Sequence, residues 1–344
     1  MAALRVLHLT GSAESAFFAE LSLLYARDCV ESVRDPRRYE VLHAHVTPDG
    51  RWRFPSGLSE SAISAAAPMT FPAALAHTDA LRPDVAVPQM FCRPGMTAYR
   101  AVLDLLGIAY LGNAPEVMAL GADKARAKAV VAAAGVAVPA GDVLRRGDRT
   151  DRPLPVVVKP ADADNSTGVS LVTEPGGLEA ALAGAFAHGP DVLVEDFIPL
   201  GREVRCGVID RGGELVVLPL EEYAVDPVTK PIRHRADKLA AGGSREPRLK
   251  LVAKDETHAW IVDPADPVTA VVGEAAKRCH RALGCRQYSL FDFRVDPAGR
   301  PWFLEASLYC SFARASVLCT MAAAAGIEVP ELFSDVLGQA LGGR

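Results

Sequence analysis

Two carboxylates and two lysines are the residues on which chemistry could hang. Asp292 and Glu305 sit in the stretch 288–307, where alternating runs flank Asp296-Pro297-Ala298-Gly299 and read as a β-hairpin. With the turn centred between Ala298 and Gly299, Asp292 lies opposite Glu305, with Cβ atoms about 5 Å apart. Two anions so close repel unless a cation bridges them, and hard oxygen ligands on a rigid hairpin suit Mg2+. The same register puts Leu290, Asp292 and Arg294 on a face with Phe303, Glu305 and Ser307. Phe291, Phe293 and Val295 then face a core with Trp302, Leu304 and Ala306. A three-residue loop would separate the acids, and a solvated hairpin would show the same alternation.

Lys159 closes the buried run Val156-Val157-Val158-Lys159, which delivers a cation to a sheet edge. The loop 162–168 that follows is rich in small residues whose amides can wrap phosphate oxygens, but it lacks P-loop spacing. Asp123 stands at an N-cap position, and Lys124 and Lys128 share one helix face. Glu195-Asp196-Phe197-Ile198 follows another buried run, at a strand junction that can present backbone groups to an adenine edge. Glu203 then falls where a ribose would sit, and Arg205 shares its face by strand alternation. Taken singly, each fits an ordinary turn, an amphipathic helix or an exposed strand.

The elements that must position these groups alternate along the chain. Strands at 4–9, 40–46, 84–88 and 109–111 are separated by helices at 19–33 and 98–106, which predicts a parallel sheet covered on both faces. The segment 49–68 reads as an exposed excursion. Beyond it come a helix over 123–134, strands at 156–159, 169–173 and 192–195, and a helix ending near His188. Strands at 204–209 and 214–220, a helix over 267–283 and the hairpin complete the pattern; the polar stretch 226–243 has no assignment. A formal net charge of -5 gives no reason to expect nucleic acid or an acidic membrane as partner. The seven cysteines contain no Cys-x-x-Cys pair, which predicts reduced, buried thiols in a cytoplasmic protein and no zinc site. No apolar run approaches the length of a membrane span, and the start of the chain is too short and broken for a signal peptide.

In this order the segments resemble the ATP-grasp superfamily, most closely its D-alanine–D-alanine ligase branch. The resemblance implies an α/β fold with an N-terminal Rossmann-like substrate domain (1–115) and two α+β subdomains clasping ATP (116–197 and 198–344). It implies that Lys124 and Lys159 hold ATP phosphates while Asn165, Ser166 and Thr167 close over them. Glu195, Asp196, Phe197 and Ile198 would line adenine, Glu203 would bind ribose, and Asp292 and Glu305 would hold Mg2+. Ser316, before Met321–Gly326, resembles the C-terminal substrate segment, and Glu14 or Glu20 would anchor an amino group. The implied reaction joins a carboxylate, activated by ATP as an acyl phosphate, to the amine of a second small amino-acid-like substrate. Homodimers are common in that family.

Three positions depart from its pattern. Ser307 stands where the family has a metal-side Asn, and Leu290 where it has an Arg aimed at the developing oxyanion. Met90–Gly95 replaces a His-Gly stretch. Leu290 and Ser307 face each other in the hairpin, so two departures alter one spot and put D-alanine itself in question. Arg205 and Arg314, ahead of Arg294, are the candidates for a replacement cation. Three alternatives stay open: a D-alanine–D-alanine ligase with a variant site, a nucleotide-binding protein that has lost catalysis, and a carboxylase-like subunit.

Overall fold

The structure is a computed structural model that describes residues 3–163, 166–233 and 258–343, with backbone alone at 239–240 and 250–251. Asn165 therefore lies outside the described residues, as does part of the unassigned stretch 226–243.

Short apolar strands alternating with helices build the first sheet. Strand β1 (Leu4–Gly11) leads to α1 (Ala16–Ser32), whose N-cap Ser15 accepts from the Phe18 amide. There follow β2 (Tyr39–Val46), β3 (Trp52–Arg53), α2 (Glu60–Ala65), α3 (Phe71–Leu81) and β4 (Val85–Pro88), then α4 (Arg93–Met96), α5 (Ala98–Leu105) and β5 (Ala109–Tyr110). The sheet order is β3-β2-β1-β4-β5, parallel except for β3. The stretch 49–68 is thus more than an exposed excursion. Trp52 is 3 % exposed, among Phe54, Phe71 and Tyr99. A two-residue strand is too short to leave a period in the sequence.

A second sheet follows α6 (Pro115–Gly121) and α7 (Lys124–Ala133). Its strands β6 (Gly141–Leu144), β7 (Val156–Pro160), β8 (Ser170–Val172) and β9 (Val192–Asp196) run antiparallel in the order β6-β9-β7-β8, beneath α8 (Leu178–Phe186). Val156, Val158, Ala185, Val192 and Val194 form its own small core. Residues 116–197 were expected to form one unit, but α6 and α7 bury Met118, Ala127 and Val131 in the core of the third sheet instead.

That third sheet holds β10 (Arg202–Arg211), β11 (Glu214–Val217) and β12 (Glu221–Tyr223). A two-strand ribbon, β13 (Leu239–Ala240) and β14 (Lys250–Leu251), stands apart before β15 (Ala259–Ile261). Helix α9 (Pro267–Ala282) precedes β16 (Tyr288–Val295) and β17 (Pro301–Ser307), and α10 (Val317–Ala324) and α11 (Val329–Gly342) end the fold. The order is β15-β12-β10-β16-β17, with β11 also on β10.

The hairpin β16–β17 pairs Asp292 with Glu305 and Leu290 with Ser307, as the turn argument requires. It does so by a different route. Near the turn Val295 faces Pro301, Arg294 faces Trp302 and Phe293 faces Phe303, and a bulge beyond Phe293 absorbs Leu304. The face assignment of three residues is therefore corrected. Phe303 is fully buried against Phe291 and Phe293, Trp302 sits beside Arg300, and Leu304 faces a cleft.

The first and third sheets share one core. Val6, Val33, Tyr39 and Val87 pack in the same cluster as Ile209, Tyr288, Phe312 and Phe333. Polar bonds stitch the joint: Asn113 donates to the carbonyls of Tyr288 (3.0 Å) and Leu308 (2.9 Å), and accepts from the Arg286 amide (2.8 Å). The Gly112 amide donates to Gln287 Oε1 at 2.6 Å. Gly112 has φ +89°, and a Cβ there would lie 2.4 Å from the Tyr288 hydroxyl, so only glycine fits the seam.

Candidate active site

A cleft of about 750 Å3 opens between the second and third sheets. Strands deliver its polar groups: Lys159 from the end of β7, Glu195 and Asp196 from the end of β9, Glu203 from the start of β10, and Asp292 and Glu305 from the middle of the hairpin strands. Val157, Pro139, Ile198, Ile232 and Leu304 supply apolar walls, and Ser166 and Thr167 lie at the loop side. Apolar walls around a few convergent charges suit a purine with a charged tail. Phe197 is not among the lining residues; it lies under the Arg294 guanidinium, 5.2 Å from its ring centroid. Asp196 lines the cleft but is also bound to Arg152 at 2.8 Å.

Glu195 was expected at the adenine, yet both its oxygens are taken by ammonium groups. Lys128 holds Oε2 and Lys159 holds Oε1, and all three side chains are buried. Burial alone would raise the Glu195 carboxyl; the two lysines outweigh it and keep it below its ordinary value. Burial lowers Lys128 to about 7 despite Glu195, with Lys159 pushing the same way as burial. Lys128 is a residue that sequence reasoning passed over as one of a generic helix pair. Its i, i+4 spacing from Lys124, which does line the cleft, was the available signal.

On the opposite wall Arg205 grips Asp292 through both carboxylate oxygens, one contact at 2.6 Å. Arg205 faces Asp292 in the β10–β16 register, one strand from the Leu290 position. Burial lifts the Asp292 carboxyl above its ordinary value; Arg205 opposes this and the charge of Glu305 adds to it. Tyr223 stacks under Arg233 at 3.4 Å, with Arg205 5.7 Å from the same ring. Glu203 accepts from Arg294 at 2.7 Å, and Arg294 also donates to the Ile198 and Pro231 carbonyls. Arg294 is thus a bracket holding the cleft wall, which removes it from the candidates for a mobile cation. Lys124 binds the Ala163 carbonyl and lies 3.5 Å from Glu305.

The donor set fits Mg2+. Among the described residues no cluster of three or more His, Cys, Asp or Glu side chains could hold a metal by itself. Mg2+ in nucleotide sites, however, takes one or two carboxylates and completes its shell with water and phosphate oxygens. Asp292 and Glu305 are paired across the hairpin and both face the cleft.

A smaller cavity of about 470 Å3 adjoins Glu305 and is lined by Met96, Met118, Ser307, Leu308 and Tyr309. Ser316 stands at the N-cap of α10, and its buried Oγ has no hydrogen-bond partner within the protein, but it lines neither cavity. Glu14 and Arg314 are not brought together with these groups. Glu14 is exposed beside Ser12, while the exposed Arg314 donates its backbone amide to Asp28 at 2.8 Å. Neither lines either cavity.

The fold, with a cleft between two sheets, matches the ATP-grasp arrangement. The family model described as D-ala D-ala ligase C-terminus matches residues 131–232 and 253–338. A D-alanine–D-alanine ligase of Citrifermentans bemidjiense is 33% identical over 242 residues, covering 69% of this chain and 72% of the relative. One from Mycolicibacterium smegmatis is 31% identical over 341 residues, covering 89% and 88%. Among solved structures, the VanG D-Ala:D-Ser ligase of Enterococcus faecalis superposes with TM-score 0.78 at 21% identity, covering 98% of this chain and all of that one. The Bacillus anthracis D-alanine–D-alanine ligase complexed with ATP gives 0.73 at 20%, over 99% and 98%. The chain belongs to the D-alanine–D-alanine ligase family. It is an ATP-dependent, ADP-forming ligase of amino-acid substrates, with ATP and Mg2+ as cofactors.

Proposed function

We propose that this ligase forms a peptide bond between two small amino-acid-like substrates, at least one of which differs from D-alanine. The observation that carries the reading is the Leu290–Ser307 cross-strand pair beside the carboxylates: Ser307 lines the smaller cavity next to Glu305, and Leu290 opposite it is buried in the shared core and brings no charge there. The names of the relatives support the second reading, that D-alanine fills both places.

In this reading Lys124 and Lys159 bind the phosphates, Ser166 and Thr167 (with Asn165) close over them, and Glu203 binds ribose. Asp196 and Ile198 lie on the adenine side, while Glu195 holds Lys128 and Lys159. Asp292 and Glu305, with Ser307 beside them, would hold Mg2+, which neutralises phosphate charge when bound. One substrate carboxylate is activated as an acyl phosphate, and the amine of the other displaces phosphate. Negative charge then grows on the former carbonyl oxygen, and a cation there lowers the barrier. Arg205 is the better candidate for that cation, being partly buried and bound to Asp292, which lines the cleft, while the side chain of Arg314 is exposed. Ser316 and Glu14 are the proposed substrate contacts, Ser316 on the strength of its unpartnered hydroxyl. The first sheet would act as a Rossmann-like substrate domain, and a homodimer working in the cytoplasm is the proposed setting. No single described helix is long and apolar enough to cross a membrane, and the bent pair α10–α11 that passes by composition is packed in the shared core.

The test supplies purified protein with ATP, Mg2+ and amino acids of both chiralities, singly and in pairs, and reads ADP release with product mass. A mixed or non-alanine product is expected. D-alanyl-D-alanine as the preferred product would establish the second reading, and no ADP with any pair would leave a nucleotide binder without catalysis.

A further inference from the structure

Glu195 is 2 % exposed and holds two lysines, so with both protonated the buried triad carries one surplus positive charge. Its two cations are not equivalent. Lys159, at the end of β7, lines the cleft; Lys128, on α7, does not, and approaches Glu195 on its other oxygen. If phosphates draw Lys159 away, a buried carboxylate loses one partner, and stripping a buried ion of its last partner is strongly unfavourable. Lys128 prevents that outcome.

We propose that Lys128 is a positioning residue that retains Glu195 so that Lys159 can exchange this carboxylate for a nucleotide phosphate. The proposal rests on the reading of the cleft as the ATP site. Without Lys128, Glu195 keeps Lys159, and phosphate binding has to compete with a buried ion pair. Adenosine makes no such demand, so the effect is confined to ligands that carry phosphate. A merely structural lysine would move both ligands together.

The experiment titrates ATP and adenosine into full-length wild type, Lys128→Met and Lys128→Arg, and into the same Lys128→Met change made on a Glu195→Gln background. Thermal melting checks that each variant folds. Lys128→Met should weaken ATP by about tenfold, the scale of a coupled buried pair, and leave adenosine close to wild type. Lys128→Arg, which keeps the charge, should retain the wild-type ratio of the two affinities and serves if the methionine variant fails to fold. On the Glu195→Gln background Lys128→Met should have little further effect on ATP. Equal losses for ATP and adenosine, no loss at all, or a full loss persisting without the Glu195 carboxylate would each overturn the proposal. Wild type that binds neither ligand would instead overturn the reading of the cleft.

Discussion

Arg205 and the two hairpin acids form a small electrostatic contest. Asp292 is engaged by a guanidinium at both oxygens, while Glu305 lies 3.5 Å from Lys124. A metal arriving on phosphate therefore meets Glu305 on easier terms than Asp292. Glu305→Gln should weaken Mn2+ binding in the presence of ATP by about tenfold or more, and Asp292→Asn by less. Electron paramagnetic resonance of free Mn2+ would read both, and equal losses would mean that Arg205 yields its partner without cost. Arg205→Met leaves Asp292 buried and uncompensated, which should lower stability by about 3 kcal/mol in urea titrations. Adding Asp292→Asn should recover most of that loss. Single-turnover product formation should nevertheless be about a hundredfold slower in the double variant than in Asp292→Asn alone, because no cation then faces the reacting carbonyl. Normal turnover would hand the oxyanion role to Arg314 or to backbone donors.

At the level of elements, the bulge in the hairpin is what makes the cleft. By taking up Leu304 it sets two successive residues, Leu304 and Glu305, on the cleft side, one as apolar wall and one as anion. Leu304→Ala should weaken ATP and adenosine alike, by about tenfold at most, since the lost contact is apolar and holds the base rather than the phosphates. A loss seen for ATP alone would place Leu304 elsewhere. The bulge also marks how far the sequence could be read. The opposition of Asp292 and Glu305 followed from turn residues and alternation, but on a register that fails between Phe293 and the turn and is restored by the bulge. Period-two patterns carry no mark for one inserted residue, so Phe303 and Leu304 came out on each other's faces. Most strands with three or more apolar positions were legible, whereas β3, β6, β12 and β15 were too short or too mixed. Lys159 was recognisable from its place at a strand end. The partners of Glu195 were not, because a contact between α7 and β9 has no trace in local spacing.

Acid should loosen the whole molecule, for reasons that lie away from the cleft. Burial lowers His8, His45 and His280 each to about 4, against about 6.5 in an unfolded chain. Between those values these histidines bind up to three more protons in the unfolded state than in the folded one, so their contribution to stability is full above about pH 6.5 and is lost as pH drops toward 4. Urea midpoints at pH 7, 5.5 and 4.5 should decline, and His8→Gln should flatten the decline; an unchanged slope would mean that His8 is solvated.

The seam at Asn113, Gly112 and Gln287 has a mechanical consequence. Because the first and third sheets are joined through one core and a ladder of polar bonds, they make a single anvil. The four-stranded sheet, with its own small core, is then a hammer that can swing against it. Amides of β7 and β9 should exchange with deuterium through openings that leave β1 and β16 protected, and ATP, gripped from both sides, should slow that exchange.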